Sequence, residues 1–405
     1  MNRSDALEMY RSLPLPDTSM EAWRFTDLRG FEPDSFVRNG HVSGASEGTV
    51  SGTVPETSSV TEADRPMLEI DVSGLATVGG SGIEIHNAPA GVEFCPLEDS
   101  HALLGTLVGS DDKFTAHNAA TWQNGLLVRV GKGVELEHPL YVRIAASTDA
   151  ALFWRLLVVA EEGSRFTLIE EYTSSAPDLA GYSNAVVELF VEQDAKLEYV
   201  SLQNLSRETW HFATHHARVE RDAELDWVAG GFGSRRGKTR IHNDLTGPGA
   251  TSRVTGAYFA DGTQHLDYDT FQQHHAPNTT SDFAFKGVLR EEASVVWRGM
   301  IRVEPDAQRT NAYQENRNLV LSPLAHADSI PGLEILANDV RCTHGATISQ
   351  VDRDQLFYAM SRGLTRSDAE RLIVRGFFQD VLDRIELEPV REALGAALEA
   401  RIPQA

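Results

Sequence analysis

From Gly125 to Ile348 the chain runs in short apolar segments rich in Val, Leu, Phe, Tyr and Trp, broken at intervals by acidic turns. The turns resemble one another: VAEEGSRFTLIEEY, FVEQDAKLEYVSLQ, VERDAELDWVAGGF, LTGPGATSRVTGAYF, LREEASVVWRGMIRV and VEPDAQRTNAYQEN. Their small residues fall at Ser164, Ala195, Ala223, Ala250, Ala293 and Ala307, at single, double or triple multiples of about 14 residues. A period that short admits one strand and one turn, so two or more units must close each layer of a stacked architecture. Inward side chains then form ladders, and Ala returns wherever the backbone turns a tight corner. The pattern predicts a mainly β protein whose core, over 125–350, is a β-solenoid. An evenly turned β-sandwich is the competing reading.

The flanks have a different pattern. SDALEMYRSL predicts a short helix stopped by Pro14 and Pro16, and EAWRFTDLRGF follows with neither period, giving an N-terminal module over 1–36. Residues 37–60 are dominated by Gly, Ser and Thr and read as a flexible linker. A transition segment over 61–124 includes helix-like apolar spacing from Ala102 to Trp122. Beyond Val351, Leu372, Ile373, Phe377, Phe378, Val381, Leu382 and Ile385 recur at helical spacing, so 351–405 reads as a helical region. Ser367 and Glu370 fit a capping box and Gly363 the preceding C-cap. Two roles stay open for this tail: covering the last layer of the solenoid, or docking a partner through RGFFQDVLDRI.

Charge narrows the functional classes. The chain carries 59 acidic and 36 basic residues, a formal net charge of -23, which repels phosphate backbones and anionic lipid. No apolar run approaches the roughly 20 residues of a membrane span, and the N-terminus lacks the apolar stretch of a signal peptide. Two cysteines far apart in sequence suit a reducing compartment, so a cytoplasmic protein is expected.

One of those cysteines stands in ANDVRCTHGATIS. Residues two apart on a strand share a face, so Cys342 and His344 place a thiol and an imidazole side by side. That is half of a soft-metal ligand set with no second cluster nearby, and by spacing alone an ordinary strand end is the simpler reading. HFATHHA puts His211 and His215 on one face and His216 on the other, and FQQHHAPNTTSD adds His274 and His275; these read as hydrogen-bonded strand residues rather than metal ligands. GGFGSRRGK, from Gly230 to Lys238, lacks the spacing of a phosphate loop and reads as a mobile hairpin tip. A polysaccharide-cleaving β-helix would need carboxylates clustered along a groove, whereas the acidic residues here lie mainly in the turns.

Several motifs of the C-terminal half occur together: AQ-x-T at Ala307 to Thr310, Asn-Leu-x-Leu at Asn318 to Leu321, Pro-x-Leu-Glu-Ile at Pro331 to Ile335, Cys-x-His-Gly-Ala from Cys342, and LFY-x-x-SRG at Leu356 to Gly363. Together they resemble the SufB/SufD family of iron-sulfur cluster assembly proteins, whose fold is a right-handed parallel β-helix with helical ends. The SufB branch carries Glu where this chain has Gly345, and further cysteines beyond Cys95 and Cys342, so the resemblance is closer to SufD. EAWRFTDL also looks like the SufD entry segment. The resemblance implies a non-catalytic scaffold that pairs with SufB and with the ATPase SufC, and a homodimer is possible for the isolated chain. It implies a transient iron-sulfur cluster at the partner interface, with His344 and Cys342 as shared ligands. Phe377, Phe378, Val381 and Leu382 are the residues expected to meet the ATPase. The alternative within the family is a homodimeric SufB-like scaffold accepting sulfur on Cys95.

Overall fold

The computed structural model describes residues 3–38, 68–79, 82–147 and 150–402. From Ala150 to Gln350 two parallel sheets alternate strand by strand, and successive strands of each sheet lie two positions apart in sequence. One sheet runs through Ala150–Ala160, Tyr182–Val191, Trp210–Val219, Arg236–Leu245, His265–His274, Ser294–Val303 and His326–Ile335. The other runs through Arg165–Ser174, Lys196–Gln203, Glu224–Gly231, Thr251–Ala260, Thr280–Leu289, Asn311–Val320 and Arg341–Gln350. One strand from each sheet, with two turns, makes a coil of a parallel β-helix, the solenoid that the repeats predict and the parallel sense that the resemblance implies. Pairing is in register throughout: Glu224 faces Thr251, which faces Thr280.

The repeated small residues sit at the corners. Ser164, Ala195, Ala223, Ala250, Ala293 and Ala307 are fully buried, and each donates its backbone N–H to the carbonyl three residues earlier, closing a tight turn. In four of these turns the preceding residue has positive φ: Gly163, Asp194, Asp222 and Gly249. Asp tolerates that conformation better than most side chains, which explains Asp194 and Asp222 at two of these corners. Between the sheets lies a continuous apolar interior that includes Trp154, Trp227, Trp297, Tyr199 and Tyr258.

The outer faces are covered from the two ends of the chain. Helix α1 (Arg3–Ser12) and the following segment lay Trp23, Leu28 and Phe31 on the first sheet, against Phe114, Phe153, Tyr182, Trp210 and Phe212. Helix α2 (Lys113–Thr121) packs beside them; helical structure begins only there, not at Ala102. Asp112 caps it, while the buried Glu188 carboxylate accepts the backbone N–H groups of Gly105, Leu107 and Val108 and holds that stretch as a loop. Strands Gly74–Gly79, Gly82–Asn87 and Val92–Pro96 also join the sheets. The linker expected over 37–60 lies outside the described residues from 39 onward, whereas Val37 and Arg38 pair with Ala150 and Ala151.

Helices α3 (Arg353–Ser361), α4 (Arg366–Leu382) and α5 (Glu388–Ala400) form the C-terminal region. They do not lie across the last coil. They fold back along the outer face of the second sheet, where Val374, Phe378, Val381, Leu394 and Leu398 pack against Val200, Val228, Phe259 and Val288. Polar anchors fix this docking: Lys286 donates to the Phe377 carbonyl and pairs with Asp380, and the Arg384 guanidinium holds both oxygens of Asp282 at 3.2 Å. The N-cap of α4 is Thr365, bonded to the Asp368 N–H, two residues ahead of the predicted Ser367 box; Gly363 does take the expected positive φ of 96°. Among the described residues no helix is long and apolar enough to cross a membrane.

Candidate functional site at the last coil

With the tail turned aside, the end of the β-helix is open. His326–Ile335 pairs only with Ser294–Val303, and Arg341–Gln350 only with Asn311–Val320, so each presents a free backbone edge among the described residues. Interior positions that are apolar and sealed in earlier coils are uncovered here. Leu333, Ile335 and Ile348 are 36%, 39% and 48% exposed. A long edge strand with apolar side chains on show invites another strand to pair with it.

Cys342 and His344 lie on this edge. Cys342 is in register with the buried Ala312, and His344 with the buried Gln314, so both stack on the interior face of the coil below. The sequence reading that they share a face holds. Cys342 is half-buried against Ala312 and Ile301, and His344 is exposed. Burial pushes the Cys342 thiol above its ordinary range, partly countered by a hydrogen bond with the Ala312 backbone. It therefore remains a thiol at neutral pH until a soft cation displaces its proton. Beneath the pair the interior turns polar. Gln314 donates to the carbonyls of Gly299 and Gly332, and Asn316, Asn318 and Ser329 form a buried hydrogen-bonded group. The open edge thus presents a thiol and an imidazole on one face.

The tail residues expected to face a partner are placed otherwise. Phe378, Val381 and Leu382 are buried in the chain's own packing on the second sheet, and Phe377 is half-buried under the Lys286 ammonium. Helical spacing alone does not say which stripe faces inward, and this stripe does. The apolar groups left to solvent lie on α3 and the start of α4: Phe357 is 73% exposed, Tyr358 61% and Leu372 56%. Tyr358 and Leu372 line a groove of about 830 Å³ between these helices and Leu319, Ser349 and Gln350 at the last coil. LFY is visible in the sequence, but its exposure depends on how α3 projects.

Other marked motifs resolve into the fold. His211, His215 and His274 are buried, His211 on Ser183 and His274 on Thr279 and Ser281; burial lowers their pKa values to about 4, 3 and 3. GGFGSRRGK is no mobile tip. It is a rigid corner between the sheets, with Phe232 fully buried, Gly233 against the Leu205 backbone, and Lys238 in a buried ion pair with Asp267 at 2.6 Å.

Residues 142–377 match the family model described as SUF system FeS cluster assembly, SufBD core domain. The chain is similar to iron-sulfur cluster assembly SufBD family proteins of Staphylococcus saprophyticus and Staphylococcus aureus strain MRSA252, each 31% identical over 281 residues, 69% of this chain. That match spans 60% of the length of the staphylococcal proteins. A Mycobacterium leprae protein of the same description is 29% identical over 398 residues, covering 95% of this chain and 90% of the relative.

Proposed function

Because the chain belongs to the SufB/SufD family of iron-sulfur cluster assembly proteins, we propose that it is the SufD-like scaffold subunit of an assembly complex, pairing with a SufB chain and with the ATPase SufC. The observation that carries this reading is the open last coil, where Cys342 and His344 lie on an unpaired strand edge bordered by exposed Leu333, Ile335 and Ile348. A partner coil added there would cover those side chains, satisfy the free backbone groups and bring the missing ligands to a nascent cluster. The cluster is cargo, and an incomplete ligand set on each chain suits a group that is built and then handed on. Gly345, in place of the SufB glutamate, supports the SufD assignment. So does Cys95, a thiol raised by burial and by Glu93 and Glu98, hence a weak sulfur acceptor. As a scaffold the chain leaves ATP hydrolysis to SufC, and Phe357, Tyr358 and the groove beside Leu372 are the surface available to it.

The test is co-expression with SufB and SufC, gel filtration for assembly and absorbance for cluster formation. His344→Ala is expected to abolish cluster formation while the complex still assembles, and Cys342→Ser to do less. Full activity of His344→Ala would overturn the ligand assignment. Phe357→Ala with Tyr358→Ala is expected to weaken SufC binding by about 2 kcal/mol or more, the scale of buried interface aromatics.

A further inference from the structure

On the outer face of the first sheet, away from the last coil, three histidines converge on one carboxylate. His216 and His242 occupy paired positions on adjacent strands, and their rings stack at 4.1 Å with 7° between planes. Asp244 follows two residues after His242 and so shares its face. His216 Nε2 lies 2.8 Å from Asp244 Oδ2, and His242 Nε2 lies 3.2 Å from Oδ1. His275, just past the next strand, places its Nε2 3.2 Å from the same Oδ1.

The hydrogen bonding of this group is incomplete in a specific way. His216 Nδ1 lies 3.0 Å from the Leu107 carbonyl, which can only accept, so a neutral His216 carries its proton there and turns a lone pair toward the Asp244 carboxylate. His242 Nε2 is sealed from solvent with no hydrogen bond of its own among the described residues, despite its closeness to Asp244. The Leu107 carbonyl is not free to move away, because the buried Glu188 carboxylate holds the Leu107 and Val108 N–H groups. A backbone carbonyl fixing the tautomer of a histidine whose other nitrogen points at a carboxylate is the usual support around a metal ligand. The three candidate donor atoms lie within 4.8 Å of one another. His216 and His242 border a cavity of about 480 Å³ that Asp112, Arg240 and Asp269 also line, leaving room for a water or a further ligand.

We propose that His216, His242 and Asp244 form a binding site for one divalent late first-row cation, Zn2+ or Fe2+, with a coordination position open to this cavity. Two imidazoles and a carboxylate suit such borderline ions better than Mg2+ or Ca2+, which favour all-oxygen sets. The site is separate from the Cys342 and His344 edge and does not depend on the assembly role proposed above. The full chain, stripped with chelator, is titrated with Zn2+ and, for its visible bands, with Co2+. The expected result is a stoichiometric amount of Zn2+ retained through gel filtration, and Co2+ bands of low coordination number without thiolate charge transfer. His242→Ala and Asp244→Asn should each weaken Zn2+ binding about tenfold or more, while Cys342→Ser and His344→Ala leave it unchanged. Asp244→Asn keeps the side-chain shape and decides the matter if His242→Ala fails to fold. Failure of the stripped chain to retain Zn2+, undiminished binding by Asp244→Asn, or loss of binding in Cys342→Ser would each overturn the proposal.

Discussion

The two ends of the β-helix are finished differently. At the N-terminal end the direction of the chain reverses: Gly82–Asn87 runs antiparallel to Gly74–Gly79, and Val92–Pro96 antiparallel to Asn124–Val130. Phe94 is sealed into the interior there, and Ile83, Ile85 and Val92 pack against it. At the C-terminal end the last two strands keep the parallel sense of the coil and leave their interior face bare. At both ends the outermost strands are paired on one side only among the described residues; strand sense and apolar burial are what differ. A finished end contributes stability to the isolated chain, and an unfinished one leaves apolar surface exposed.

The largest effect that would sharpen this contrast is expected from Phe94→Ala, which removes a buried ring from the finished end and should cost about 3–5 kcal/mol in urea unfolding. A loss no greater than that of Ile348→Ala would erase the distinction. Next come two glycines. A methyl group at Gly125 would meet the Trp122 ring at 2.6 Å and Leu97 at 3.1 Å, whereas one at Gly345 meets nothing nearer than 3.5 Å. Gly125→Ala should destabilise by about 1–3 kcal/mol and Gly345→Ala by less than about 0.5 kcal/mol, read from the same unfolding curves.

Acid probes the body between the ends. Burial holds His215 neutral down to about pH 3, against an ordinary value near 6.5, so below that ordinary value the unfolded chain takes up a proton that the folded one refuses. Its contribution is therefore complete above about pH 6.5 and is lost as pH falls toward the folded value. His215→Gln should flatten the dependence of stability on pH in that window by up to about 1.4 kcal/mol per pH unit; an unchanged slope would mean the imidazole is not sealed. The smallest effect on the isolated chain is expected from Ile348→Asp, within about 0.5 kcal/mol as for other exposed positions. The same variant should lose its partner in gel filtration of the complex. Strong destabilisation without a partner present would show that the last coil is finished after all.

Much of this was legible along the chain because its causes are local. The corner alanines, the acidic turns at Asp194 and Asp222, the alternating strands and the helical spacing after Val351 all follow from conformational preferences within a few residues. So does the shared face of Cys342 and His344, which the two-residue period of a strand dictates. The helix expected from Ala102 failed for a non-local reason: Glu188, on a strand far along the chain, takes the N–H groups that a helix would have used.

What the tertiary structure alone decided are matters of stacking and direction. His216, His242 and His275 stand on or just after three different strands, and only the in-register stacking of successive coils brings them to one carboxylate. Phe378 and Phe357 are equally apolar in sequence, yet one is buried and the other 73% exposed because α4 folds back along the second sheet while α3 projects from it. The open end has the same origin. Arg341–Gln350 has the sequence of an inner strand, and its interior face stays bare because no further coil follows and the tail turns aside. A strand's own residues specify its pleat and its apolar face; whether that face is covered depends on the position of the next layer, which its residues do not encode.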